Sequence, residues 1–141
     1  LHEFVGAPPI WLNEGMAEYF ELLQTQGSAG RVEANRYHRH LLSGLAGGQR
    51  EALALSLLEV DGNKFRSEPM VELNYAQAWA LVDVLMSNES GQARLAHLLA
   101  DLRAAACGRF SSTDWLNANY PGGAAALARE ANGQRGSAHH Y

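Results

Sequence analysis

Apolar residues recur at helical spacing along nearly the whole chain, and glycine-rich or polar turns divide them into a series of predicted helices. The first is expected from about Pro9, a favourable early helix position for proline, to about Gln26, ending before Gly27-Ser28. A second, from Arg31 to Ala46, carries Val32, Leu41, Leu42 and Leu45, and Gly47-Gly48 is expected to stop it. A short third helix spans Gln49 to Glu59. Asp61-Gly62-Asn63 then signals a turn, and the stretch through Pro69 reads as an irregular loop fit to border a groove. Glu72 to Ser87 is the most hydrophobic element: Leu73, Ala76, Trp79, Leu81, Val82, Val84 and Leu85 leave little polar face, which places it at the centre of its domain. Ser90 caps a further helix to about Ala106, with Leu95, Leu98, Leu99 and Leu102 on its buried side. Ser112 or Thr113 caps a short segment through Tyr120, and Pro121 opens a last one through Ala131.

Composition narrows this to an all-α fold. Isoleucine and threonine are scarce and valine is modest, whereas alanine, leucine and arginine are plentiful. At 141 residues the chain suits one core, read as a single helical domain over 1–131 with a flexible polar tail over 132–141. A net charge of −4 without a basic cluster argues against nucleic acid as a partner. No apolar run approaches the roughly 18 residues of a membrane span. Cys107 is the sole cysteine, so no disulfide or cysteine-rich metal site forms within the chain. There is no fixed-period repeat, nucleophile elbow, phosphate loop or dinucleotide fingerprint.

The chemistry concentrates in Trp11-Leu12-Asn13-Glu14-Gly15-Met16-Ala17-Glu18-Tyr19-Phe20-Glu21. Glu14, Glu18 and Glu21 are spaced i, i+4, i+7 and form one stripe, while Leu12, Met16, Tyr19 and Leu23 project to other sides. Like charges four apart repel, so the stripe requires either open water, as on any solvated helix face, or a cation. Gly15, costing about 1 kcal/mol relative to alanine in a helix, predicts that another backbone element passes close over it.

That string resembles the third-ligand helix of gluzincin-type zinc metallopeptidases, in particular the peptidase MA-like bacterial families with the pattern WL-x-EG-x-A-x-Y-x-E. Asn74-Tyr75-Ala76-Gln77-Ala78-Trp79-Ala80-Leu81-Val82 resembles a later helix of the same families. The resemblance implies that the chain is the helical C-terminal part of a catalytic domain acting on peptide or protein substrates. It implies that Glu14 is a zinc ligand, that Glu18 orients a ligating histidine through its free ring nitrogen, and that Tyr75 offers a hydroxyl to a developing oxyanion. Read from the residues alone, Tyr75 serves equally as an anchor between helices. The resemblance also favours an extracytoplasmic location.

The two-histidine helix is where the sequence departs from that pattern. His2-Glu3-Phe4-Val5-Gly6 begins like HExxH, but Gly6 has no donor atom in place of the second histidine. The better alignment takes Leu1-His2-Glu3-Phe4 as the end of the first helix, with HExxH lying before Leu1, and His2 as an ordinary helix-end residue. The start at leucine and the helical spacing of Leu1, Phe4 and Val5 fit a truncated catalytic helix. Supplying one of three ligands, the chain alone is expected to be inactive and to bind zinc weakly or not at all. The other histidines are not expected to ligate: His38 and His40 point to different sides of a helix, with Arg39 on a solvated face, His97 is half-exposed, and His139-His140 lies in the tail.

Three readings follow. The parent is a zinc peptidase; or it keeps the fold as a non-catalytic binding or scaffold module; or the chain is an unrelated helical interaction domain.

Overall fold

The computed structural model describes residues 9–105 and 110–133, excluding the side chains of 22–35. The elements are α1 (Ile10–Leu42), α2 (Gly47–Leu57), α3 (Gly62–Phe65), α4 (Val71–Met86), α5 (Glu89–Ala105), α6 (Ser112–Asn119) and α7 (Gly123–Ala131), with no strand among the described residues. The fold is all-α. The expected His2, Cys107 and His139-His140 readings concern positions outside the described residues.

α4 is the axis of the fold. Its residues from Asn74 to Leu85 are buried except Tyr75 and Asp83, as the near-absence of a polar face predicts. α1, α2, α5 and α7 all pack on it. One hydrophobic cluster runs from Trp11 and Leu12 through Trp79, Leu81 and Leu98 to Leu127 and Ala131.

The approach of α1 to α4 explains Gly15. A Cβ at that position would stand 2.6 Å from the carbonyl oxygen of Ala78 and 2.7 Å from Cγ2 of Val82. Only a hydrogen fits there. The close-passing element predicted from this glycine is therefore α4, and the contact fixes the rotation of α1 and hence the direction of neighbouring Glu14.

α1 corrects the expected pair of helices in an instructive way. Helical backbone spans Ile10 to Leu42, on both sides of the expected break after Gln26. Yet Glu18 and His38 touch, at 3.5 Å. Twenty residues of straight helix would hold them about 30 Å apart. The helix must therefore turn back between them, the interval in which Gly27-Ser28 lies. The expected boundary between two helices is thus met as a reversal within α1, where a straight helical ladder cannot continue.

Other boundaries shift for local reasons. Gly47-Gly48 does not stop the preceding helix but forms the first turn of α2, where the side-chain oxygen of Gln49 accepts from the Ala46 amide at 3.0 Å. α1 ends earlier because Arg50 donates to the carbonyls of Leu45 and Leu42, at 2.7 and 3.4 Å, which caps its C-terminal end. In the expected loop, Asp61 caps α3 by accepting from the Lys64 amide at 2.8 Å, and Phe65 is fully buried. The α6 cap is Ser111 rather than Ser112 or Thr113. Ser112 is used otherwise, its hydroxyl accepting from the indole N–H of buried Trp11 at 2.9 Å. Asn132, expected to begin the tail, is buried and exchanges two 3.1 Å hydrogen bonds with Gln77.

Candidate functional site

The wall containing Glu14 is built by the N-terminal part of α1, α3 with its following residue, and the opening of α4. Gly15 locks α1 onto α4, which leaves Glu14 on the outer side with its side chain 19% exposed. Arg66, directly after α3, reaches across so that Nη2 donates to Oε2 of Glu14 at 3.0 Å. Tyr75 stands beside the guanidinium and, after Glu14, helps to raise its pKa. Tyr75 is fixed in turn by an edge-to-face contact with Phe65, ring centroids 5.0 Å apart. Asn74 closes the arrangement from below, donating to the Phe65 carbonyl at 2.8 Å in the interior.

Two of the three residues singled out from the sequence, Glu14 and Tyr75, thus meet through Arg66, a residue that the sequence reading left inside an irregular loop. The Glu14 carboxylate foremost, and Tyr75 after it, hold the guanidinium above even its ordinary high pKa. Its positive charge is therefore permanent. No local motif marks it: Glu14 and Arg66 are 52 positions apart, and only the fold joins them.

Glu18 lies one turn further along α1 and faces a different partner. His38, 4% exposed, points Nε2 at Oε2 of Glu18 across 3.5 Å. The imidazole lies against Trp79 with centroids 4.9 Å apart, and its buried Nδ1 has no hydrogen-bond partner among the described residues. The His38 hydrogen bond outweighs burial and pulls the Glu18 carboxyl below the usual glutamate range. The histidine that Glu18 addresses among the described residues is therefore a core residue. His38 and His40 do point to different sides, one buried and one exposed. Arg39 between them is not simply solvated: it lies 5.8 Å over the Trp79 ring, pairs with Asp83 at 3.6 Å and donates to the Ala131 carbonyl at 2.8 Å.

Two of the three carboxylates of the stripe thus meet side chains of the protein itself, Arg66 at Glu14 and His38 at Glu18, while Glu21 is exposed. Among the described residues no group of three histidine, cysteine, aspartate or glutamate side chains is arranged to hold a metal ion. His97, with its side chain 53% exposed, pairs with Asp101 at 3.2 Å on the surface of α5. No helix among the described residues is long and apolar enough to cross a membrane.

No curated protein and no solved structure matches the chain. A family model does, over residues 1–103, a span that contains Glu14, Glu18, His38, Arg66 and Tyr75 and leaves α6 and α7 outside it. The chain belongs to the family described as Protein of unknown function (DUF1570).

Proposed function

We propose that the chain is the helical C-terminal part of a zinc-dependent peptidase domain, with Glu14 as the one protein ligand it contributes. The observation that carries this reading is the position of Glu14. Its carboxylate is only partly exposed, its helix is fixed by the Gly15 contact, and Arg66 joins it to Tyr75. These are the positions that resemble a gluzincin ligand helix and its neighbouring tyrosine.

The described donor set fits one corner of a zinc site and not the whole of it, because zinc at a catalytic site takes three protein ligands. In this reading the two histidines come from a helix preceding Pro9. Zinc bound in such a site polarises a carbonyl and activates water. The work of this chain's own residues is then to present the Glu14 carboxylate at a fixed angle, to hold Tyr75 at the same wall, and to supply the positive charge of Arg66. Peptide or protein is the substrate class, and an extracytoplasmic compartment accompanies the reading.

The Glu14–Arg66 pair also favours a second reading, a helical binding or scaffold module that keeps the fold without the chemistry. A carboxylate already satisfied by a guanidinium has no need of a metal.

Zinc content separates the two. In the longest natural form of the parent, purified without a histidine tag, one zinc per chain that falls sharply in Glu14→Ala is expected for the peptidase. Absence of zinc from both proteins would discard it in favour of the scaffold module.

A further inference from the structure

Arg66 is the exposed cation that this wall holds against Glu14. Its side chain is 52% exposed, and the carboxylate it holds comes from the chain itself. Its anchorage is one-sided: Nη2 bonds Glu14 at 3.0 Å, and beside it stands Tyr75, whose ring Phe65 buttresses from the core. A guanidinium held this way has lost much of its conformational freedom before any ligand arrives, which lowers the cost of binding one. Its planar array of donors suits a carboxylate, as its contact with Glu14 at 3.0 Å demonstrates.

We propose that Arg66 is a carboxylate-recognition residue for peptide ligands, and that Glu14 occupies it as an internal stand-in until its own charge is engaged elsewhere. The identification of the ligand as a peptide rests on the peptidase reading above; the stand-in relationship rests on the contact geometry alone. A cationic group engaged by Glu14 weakens its hold on Arg66 and frees the guanidinium at the same wall. A ligand drawn to Glu14 then finds a positive charge one hydrogen-bond length away. The group that suits this charge is a carboxylate close to the bond being acted on, either the free C-terminus of the peptide or an acidic side chain.

The test uses the full 141-residue chain and three probes: acetyl-dialanine, its C-terminal amide, and acetyl-aspartyl amide, titrated by calorimetry or chemical-shift mapping. Glu14→Gln removes the stand-in charge while keeping its shape. In that variant acetyl-dialanine is expected to bind about tenfold more tightly than its amide, the scale of one charge-assisted contact. The wild-type chain should show little preference, and the double variant Glu14→Gln with Arg66→Gln none. Equal binding of acid and amide by Glu14→Gln, with helicity unchanged, overturns the proposal, as does a preference that survives loss of Arg66. Acetyl-aspartyl amide matching acetyl-dialanine assigns the recognised carboxylate to a side chain, and its failure to do so assigns it to the C-terminus. A clear preference in a protein whose longest form holds no zinc would keep the carboxylate site and discard the peptidase. Zinc without any preference would do the reverse.

Discussion

His38 meets Glu18 with Nε2 3.5 Å from Oε2, although both belong to α1 and stand 20 positions apart. The pair ties the two arms of the reversed α1 together beside Trp79 of α4. This relationship gives α1 a pH dependence of definite sign. The Glu18 carboxyl is held below its ordinary value of 4.5 chiefly by the His38 hydrogen bond. A carboxylate with a depressed pKa in the folded state adds stability above its unfolded value and loses it as pH falls through the folded value. Wild-type protein is therefore expected to exceed Glu18→Gln in melting temperature near neutrality, with the difference shrinking below about pH 4.5. Melting curves across that range check it, and a difference that grew on acidification would refute the assignment.

The same histidine carries a cost. Its Nδ1 is buried without a partner, and an unsatisfied buried polar atom costs about 1–3 kcal/mol. His38→Leu removes that atom and retains most of the volume against Trp79, so it is expected to lie within about 1 kcal/mol of wild type or above it. His38→Ala leaves a void and should destabilise by about 2 kcal/mol or more. Urea denaturation of both variants decides the matter; alanine outperforming leucine would mean that the site is not packed as described.

Gly15→Ala pits local propensity against packing. Alanine favours a helix over glycine by about 1 kcal/mol. Here its methyl would meet the Ala78 carbonyl and the Val82 side chain, both closer than any real contact of this kind. Displacing α1 from the central helix is expected to cost about 1–3 kcal/mol net. It should also disturb the Glu14–Arg66 contact, visible as a change in the Arg66 side-chain NMR signals. A stabilised variant would show that the two helices do not approach as closely as this.

How much of this was legible beforehand follows from the range of the interactions. Gly15 could be read because a glycine inside an otherwise good helix is a local anomaly, and its explanation needed only some neighbouring backbone. The burial of α4 was legible from its own composition. The hairpin in α1 was half legible: Gly27-Ser28 mark a boundary between two helical stretches, but nothing local marks that Glu18 and His38 meet across it. Arg66 and His38 were not legible as members of a site. Each is an ordinary polar residue in its local context, and each acquires its role from a partner 52 or 20 positions away. Asn132 was misread for the same reason, since the amide that buries it belongs to α4.

That last pair supplies the sharpest test of the core. Gln77 and Asn132 exchange reciprocal amide hydrogen bonds at 3.1 Å in the interior, and Asn132 also donates to the Ala128 carbonyl at 2.7 Å. Gln77 additionally donates to the Arg50 carbonyl at 3.2 Å, so one amide joins α2, α4 and the end of α7. Removing one partner strands the other in a place without exposure, which costs about 1–3 kcal/mol. Asn132→Leu and Gln77→Leu alone should each destabilise by that order. The double variant should lose less than the sum, because neither leucine faces an unsatisfied amide. A double-mutant cycle in urea measures the coupling directly. Strict additivity would mean that the two amides do not share their hydrogen bonds, and that α7 is held to the core by its apolar face and its other hydrogen bonds, such as that of Arg39 to the Ala131 carbonyl.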